Sequence, residues 1–444
     1  MPRGENSGTV SAVRFAIPIA IENTASTLIA MVFSMIIGGI SSGALAAVGT
    51  SNTIVTFLTA ALSLLTTGSA VLISRYVGAG DLSKTTACIE QSLLLTVILA
   101  GCITLFIELF AQYILKLLIP GADASLFSDT KAYLRVLILS YPFLMLYNVG
   151  TSIMRASGNS RATMYVAVCM NLIQLACSWL FLRIMKLDLT GAGLSAIIAR
   201  FSGAAVILFI VIRSNAKYHI RVRAIFRPDR SMFRTILRVG MPASMEQMSV
   251  QGGYLLANSL VVGLGTEAAS IYQIVNTIVT FPSIPQGVMM PTVLTVVGQK
   301  IGAGDHEGAR RSEYRMWLFT VVTCMSLGIF TALLGTKLTS LYTKDIRIAG
   351  ICAALLWVQL GYQLFGGSIN SLDPALRAGG ENRFVMLQSA IGVWLIRLPF
   401  SWLMGYTLGM GIWGIYWANL ISLASRAASG CIKRAKNDWI HKEI

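Results

Sequence analysis

Charge is scarce in this chain, and negative charge scarcest. Only 12% of the 444 residues are charged, with 19 acids against 35 bases. A soluble domain carries about twice that charged fraction. Histidine is rarer still: His219, His306 and His441 are the only three, and all fall between or beyond the long apolar runs. A histidine proton relay within those runs is therefore excluded. The runs also contain no HExxH, no paired aspartates and no serine–histidine arrangement, which removes the chemistry of an intramembrane enzyme. No phosphate-cradling P-loop is present, so direct ATP coupling is not expected. The chain reads as a protein that is not an enzyme. The seven cysteines are odd in number, lack CxxC spacing and lie in or beside the apolar runs. They read as small packing residues, not as a disulfide framework or a metal site. No cofactor is expected beyond a coupling ion.

What the sequence has instead is apolar length. With 55% hydrophobic residues, stretches long enough to cross about 30 Å of hydrocarbon recur from end to end. Twelve spans are predicted. They lie near 13–37, 44–73, 89–109, 132–154, 162–184 and 191–212, then near 236–262, 268–297, 314–341, 348–372, 384–408 and 412–432. The first is too long for a cleavable signal peptide and lacks a small-residue cleavage pattern. The expectation is an all-α polytopic membrane protein.

The net charge of +16 could suggest nucleic acid, but the position of the bases argues against it. With the N-terminus placed in the cytoplasm, 25 Lys and Arg fall on that side and eight on the other. Arg200 and Arg397 fall within spans. This is the positive-inside asymmetry, and it puts both termini in the cytoplasm of a cell (inner or plasma) membrane. The partners expected are the lipid bilayer and a small-molecule substrate, with no nucleic acid and with the protein as a monomer.

The sequence also repeats itself. "NTIVTF" occurs at 52–57 and again at 276–281, an offset of 224. At the same offset "RFAIPIAIEN" from Arg14 lies over "RVGMPASMEQ" from Arg238, and "VGAGD" from Val77 lies over "IGAGD" from Ile301. At an offset of 222, "MRASGNSRATM" from Met154 lies over "LRAGGENRFVM" from Leu376. Each half carries six spans, so both enter from the same side as parallel repeats. The halves are an N-terminal six-helix bundle at 1–212 and a C-terminal one at 236–444 that includes a cytoplasmic tail. A basic cytoplasmic linker at 213–235 joins them and is attracted to the membrane surface.

The paired GAGD loops, the paired "MRASGNSR" and "LRAGGENR" loops, and "RLP" at 397–399 followed by "LGMGIWGIYWA" from Leu408 resemble the multidrug and toxic compound extrusion (MATE) family. That family belongs to the multidrug/oligosaccharidyl-lipid/polysaccharide flippase superfamily. The resemblance covers nearly the whole chain. It implies twelve transmembrane helices in two pseudo-symmetric six-helix bundles around a central cavity. It also implies export of cationic or amphipathic compounds by antiport with Na+ or H+. The alternative within the same superfamily is a lipid-linked saccharide flippase. Those proteins usually have more spans and a cationic cavity, whereas here the internal acids outnumber the obvious cavity bases.

Charge within hydrocarbon is costly and marks function by default. Glu22 and Glu246 are the ion-coupling candidates. Each stands one turn beyond a proline, Pro18 or Pro242, where the helix loses a backbone donor and can bend. The competing reading is a carboxylate near the cytoplasmic end, hydrated or paired with a base. The acids typical of the family are absent: the matching positions hold Ser34, Asn171 with Leu175, and Val250. The cavity-lining candidates are Asn23, Asn52, Asn171, Gln247, Tyr254, Asn258, Gln273, Asn276 and Gln363, since amides and phenols orient a ligand while apolar walls bind it. Pro282 and Pro285 join Pro18 and Pro242 as hinge candidates. Arg397 is expected to be structural, bonding to carbonyls of neighbouring helices. Asp373, followed by Pro374, is expected to end the tenth span.

Overall fold

Proline and glycine punctuate a chain that is otherwise helical. A computed structural model describes residues 7–38, 42–118, 124–214, 220, 225–436 and 438–440. His219, His441 and the linker residues 215–219 and 221–224 lie outside the described residues. The described residues form helices and no strand. This suits hydrocarbon, where each backbone polar group must be satisfied within its own segment.

The first half contains α1 (Ser7–Gly38), α2 (Ser42–Ala61, resumed as Ser63–Ala79), α3 (Leu82–Leu118), α4 (Ala124–Leu139 and Tyr141–Ala156), α5 (Ser160–Trp179, extended by a π-helical turn) and α6 (Asp188–Ser214). The second contains α7 (Arg230–Gly263), α8 (Thr266–Thr280 and Ile284–Gly302), α9 (His306–Leu333), α10 (Ile346–Ala378), α11 (beginning at Asn382–Ala390 and continuing through π-helical turns to Leu403–Thr407) and α12 (Ile412–Ala435). A helix thus stands at each of the twelve expected spans. Among the described residues, eight helices are long and apolar enough to cross a membrane on their own, or nine if the two parts of α4 form one span. The two parts of α4 meet at 46°. Pro142, at the start of the second part, has no N–H to continue the ladder. Among the helices outside that set, α7 carries Arg230, Arg234, Arg238 and Glu246, and α8 is broken ahead of Ile284.

The paired motifs are paired turns. Gly80 and Gly304 close α2 and α8 in the left-handed region, at φ 71° and 75°. A side chain there would be strained. The aspartate that follows each one caps the next helix: Asp81 accepts from the Lys84 N–H at 2.9 Å, and Asp305 from the Gly308 N–H at 2.8 Å. The Lys84 N–H also holds the Asp81 carboxyl below the usual carboxylate range. Gly158 and Gly380 repeat the arrangement at φ 93° and 89°. There Asn159 caps α5 through the Ala162 N–H, whereas Glu381 pairs with Lys433 at 3.2 Å.

The chain divides into two compact units, Ile17–Met241 and Pro242–Ile444, the latter taking in the start of α1 up to Ala16. Both divisions fall at the repeated prolines, so the first unit runs past residue 212 and includes the start of α7. Gly240 explains why. A Cβ at Gly240 would lie 2.0 Å from the Leu64 carbonyl oxygen, and one at Gly68 would lie 3.2 Å from the Gly240 Cα. Only hydrogen on both sides permits this crossing of α2 and α7. Within the same unit Ile54, Ala111, Leu115 and Leu134 form a core, and Ser69–Ser92 and Ser178–Ser195 join helices at 2.7 Å. Gln91 on α3 pins the end of the linker, donating to the Arg227 carbonyl and accepting from the Asp229 N–H. Arg200 donates to Ser140 at the bend of α4. Leu105, Phe106 and Leu109 on α3 stay exposed, as suits a face that meets acyl chains.

In the second unit Val261, Val275, Leu355 and Ile415 belong to one core uniting α7, α8, α10 and α12. Thr320 and Ser371 link α9 to α10 at 3.0 Å. Within the tail, Trp439 is 1% exposed and sits so close to Gly379 that a Cβ there would lie 2.3 Å from the Trp439 carbonyl oxygen.

Candidate functional site

Each unit holds one glutamate a turn beyond a proline within a continuous helix. In the first unit Glu22 is 7% exposed. Its Oε1 accepts from Arg155 Nη2 at 2.6 Å, and its Oε2 accepts from Thr163 Oγ1 at 3.3 Å. The pair ties α1 to the end of α4. The second unit repeats the tie: Arg377, at the end of α10, donates to Glu246 Oε2. Glu22 and Glu246 are therefore each paired with a base.

The second centre is larger. Ser389 Oγ donates to Glu246 Oε1 at 3.1 Å. Arg426 on α12 stands between two acids, 3.9 Å from Glu246 Oε1 and 3.4 Å from Asp373 Oδ2. Gln388 Nε2 donates to Asp373 Oδ1, and Ser429 Oγ donates to Gln388 Oε1 at 2.9 Å. These interactions tie α7, α10, α11 and α12 together. Asp373 does not end α10: the helix passes through Pro374 to Ala378, and Asp373 is 4% exposed. The expectation that internal acids outnumber cavity bases fails here as well, because Arg377 and Arg426 face Glu246 and Asp373. Arg377 is 3% exposed.

A cavity of about 340 Å³ opens beside this centre. Glu246, Asp373, Arg377 and Arg426 line it, with Tyr254, Tyr362, Gln286 and Asn370 among its other polar residues. Of the lining candidates, Gln247 and Tyr254 face this cavity. Gln363 stands behind it, accepting from Gln286 and donating to Ser283. Asn258, Gln273 and Asn276 do not line it. In the first unit Asn171 donates to Ser26 Oγ at 2.8 Å, linking α5 to α1. Asn23 is half-buried and Asn52 is exposed. Pro285 stands in the first turn of the second part of α8, and Pro282 lies in the break before it. Arg397 departs from expectation. It donates no hydrogen bond to a neighbouring carbonyl among the described residues; its guanidinium lies 4.4 Å from the centre of the Tyr254 ring. Among the described residues, no three His, Cys, Asp or Glu side chains gather in a way that could hold a metal ion.

Sequence reasoning passed over Arg155 and Arg377 although a signal existed. Both lie in the repeated "MRAS"/"LRAG" motif, duplicated along with Glu22 and Glu246. Two oppositely charged positions kept together through a duplication mark a contact. Asp373 and Arg426 belong to no such repeated pair, and only the packing of α10 against α12 brings them together.

A continuous helical membrane chain, built as two related bundles with a buried ion pair in each, is a transporter architecture. The model of the MatE family matches residues 18–180 and again 242–403, so its repeat falls once on each half and begins at each of the two prolines. The chain belongs to the MatE family of multidrug and toxic compound extrusion transporters. It is 23% identical over 414 residues to the probable multidrug resistance protein NorM of Thermotoga maritima, covering 92% of this chain and 88% of that one. It is 22% identical over 411 residues to the probable multidrug resistance protein YoeA of Bacillus subtilis, covering 90% and 88%. Among solved structures it resembles an outward-facing multidrug resistance MATE family transporter of the MOP superfamily, with a TM-score of 0.89, 20% identity and coverage of 98% and 96%. A MATE protein in a bent conformation matches with a TM-score of 0.89, 20% identity and coverage of 97% and 96%. The fold is the twelve-helix, two-bundle fold of this family in a multi-pass membrane protein.

Proposed function

We propose that the protein exports cationic or amphipathic small molecules across the cell membrane by antiport with Na+ or H+. Both termini lie in the cytoplasm and the two bundles alternate access. The observation that carries this reading is the pair of buried glutamates, each one turn past an in-helix proline and each held by an arginine from another helix. An arginine in that place is an internal cation. A proton on the carboxyl ends the pairing, and a sodium ion competes for the same oxygens. Either event frees a helix at its proline, where the ladder is already weakened. The multidrug names of the relatives support the substrate class, and the basic linker and tail support the orientation.

The experiment is transport in proteoliposomes by the reconstituted full chain, with ethidium as cargo and sodium and proton gradients imposed separately. Ethidium movement against either gradient supports antiport. Movement that ignores both gradients overturns it.

A further inference from the structure

We infer that the cavity of the second bundle binds an anionic group, a carboxylate or phosphate carried on an apolar body. The inference rests on the export reading above and narrows it for this cavity, from cationic or amphipathic compounds to anionic amphiphiles. It starts from a charge that no carboxylate among the described residues balances. Around the cavity stand two acids, Glu246 and Asp373, and two bases, Arg377 and Arg426, and these four pair among themselves. Arg397 is a third base. It is 5% exposed, and among the described residues it has no carboxylate within ion-pair distance and donates no hydrogen bond. It lies over the ring of Tyr254, with Tyr362 also within electrostatic reach.

A buried guanidinium resting only on a π face is far from compensated. Tyr254 connects it to the cavity: the ring that Arg397 covers lines the cavity and keeps 40% of its surface open. A cation on one face of a phenol withdraws electron density and makes its hydroxyl a stronger donor. Arg397 does not itself line the cavity, so its charge acts there through Tyr254. One surplus positive charge suits an anion and disfavours a cation, which would also have to displace arginine from Glu246. Val250, Met290, Ile369 and Leu423 supply apolar wall for the body of the ligand. At about 340 Å³ the cavity lies at the small end of the range for small-molecule sites.

The test is equilibrium binding, with no gradient, by the full chain in phosphatidylcholine nanodiscs. Three probes share one fluorophore and differ in charge: dansylglycine (anionic), dansylamide (neutral) and dansylcadaverine (cationic). Dansylglycine is expected to bind at least about tenfold more tightly than dansylcadaverine. Arg397→Gln is expected to raise its Kd about tenfold while leaving dansylcadaverine unmoved. Should that variant fail to insert, Tyr254→Phe, which keeps the ring and removes the donor, is expected to weaken dansylglycine alone. Equal or tighter binding of dansylcadaverine overturns the inference. So does a variant that shifts both probes alike, since that is the behaviour of a scaffold residue. Competition with decanoate and with farnesyl phosphate separates the sources of the anion. Whichever displaces dansylglycine at the lower concentration identifies a soluble carboxylate or a lipid-borne phosphate; displacement by neither overturns the inference. Because no gradient is applied, failure of antiport would leave this result standing, and failure here would leave antiport standing.

Discussion

The two ion centres grew from the same duplicated sequence and no longer match. In the first bundle Glu22 has one base among the described residues, Arg155, whose side chain is 20% exposed. In the second, Glu246 has Arg377, with its side chain 3% exposed, and Arg426 beyond it. At the repeat position of Asp373 the first bundle has Thr151, whose hydroxyl turns back to the Asn148 carbonyl of its own helix. One half thus keeps a single pair with a partly exposed arginine. The other has built an interlocked network of four charged residues along a cavity. A duplication fixes where an ion pair stands; the neighbours gained afterwards decide whether it can serve as a switch.

The largest expected difference is in stability. Arg377→Ala leaves Glu246 buried with Ser389 and a distant Arg426, at a cost of about 3–5 kcal/mol. Arg155→Ala leaves Glu22 closer to water and should cost about 1.5 kcal/mol. Reversible unfolding in micelles, followed by tryptophan fluorescence, measures both. Equal losses would mean that the additional partners in the second bundle contribute nothing. Close to this in size, Gly240→Ala should cost about 1–3 kcal/mol by overpacking against Leu64, read in the same assay. An unchanged midpoint would show that α2 and α7 do not cross as tightly as described.

Function should divide the bundles in the opposite sense. Glu22→Gln is expected to lower ion-driven efflux per inserted protein about tenfold, the effect of about 1.4 kcal/mol of lost coupling. Glu246→Gln should lower it by less, because its site is held by a network and not by one exchangeable pair. Wild-type efflux in the double Gln variant would remove both residues from the mechanism. The smallest effects should be the most symmetric: Gly80→Ala and Gly304→Ala each put a side chain into a left-handed turn and should cost about 1 kcal/mol. A clear inequality between them would mean that one GAGD turn carries a load the other does not.

Residue order alone determined a great deal about this protein. Apolar length fixed the number of spans, the distribution of bases fixed the expected orientation, and repeated motifs fixed the two halves and the equivalence of Glu22 with Glu246. These are signals local to one segment, or to one segment and its copy. Tertiary structure decided which carboxylate meets which base. Asp373 and Arg426 are 53 residues apart and meet only because α10 packs on α12; no periodicity records that contact. Tertiary structure also turned Arg397, expected to bond to carbonyls, into a buried cation over Tyr254. A helix pattern shows which face is apolar, but it does not show what will stand opposite. Inside a membrane, where an unpaired charge is costly, the opposite neighbour determines what a charged residue can do.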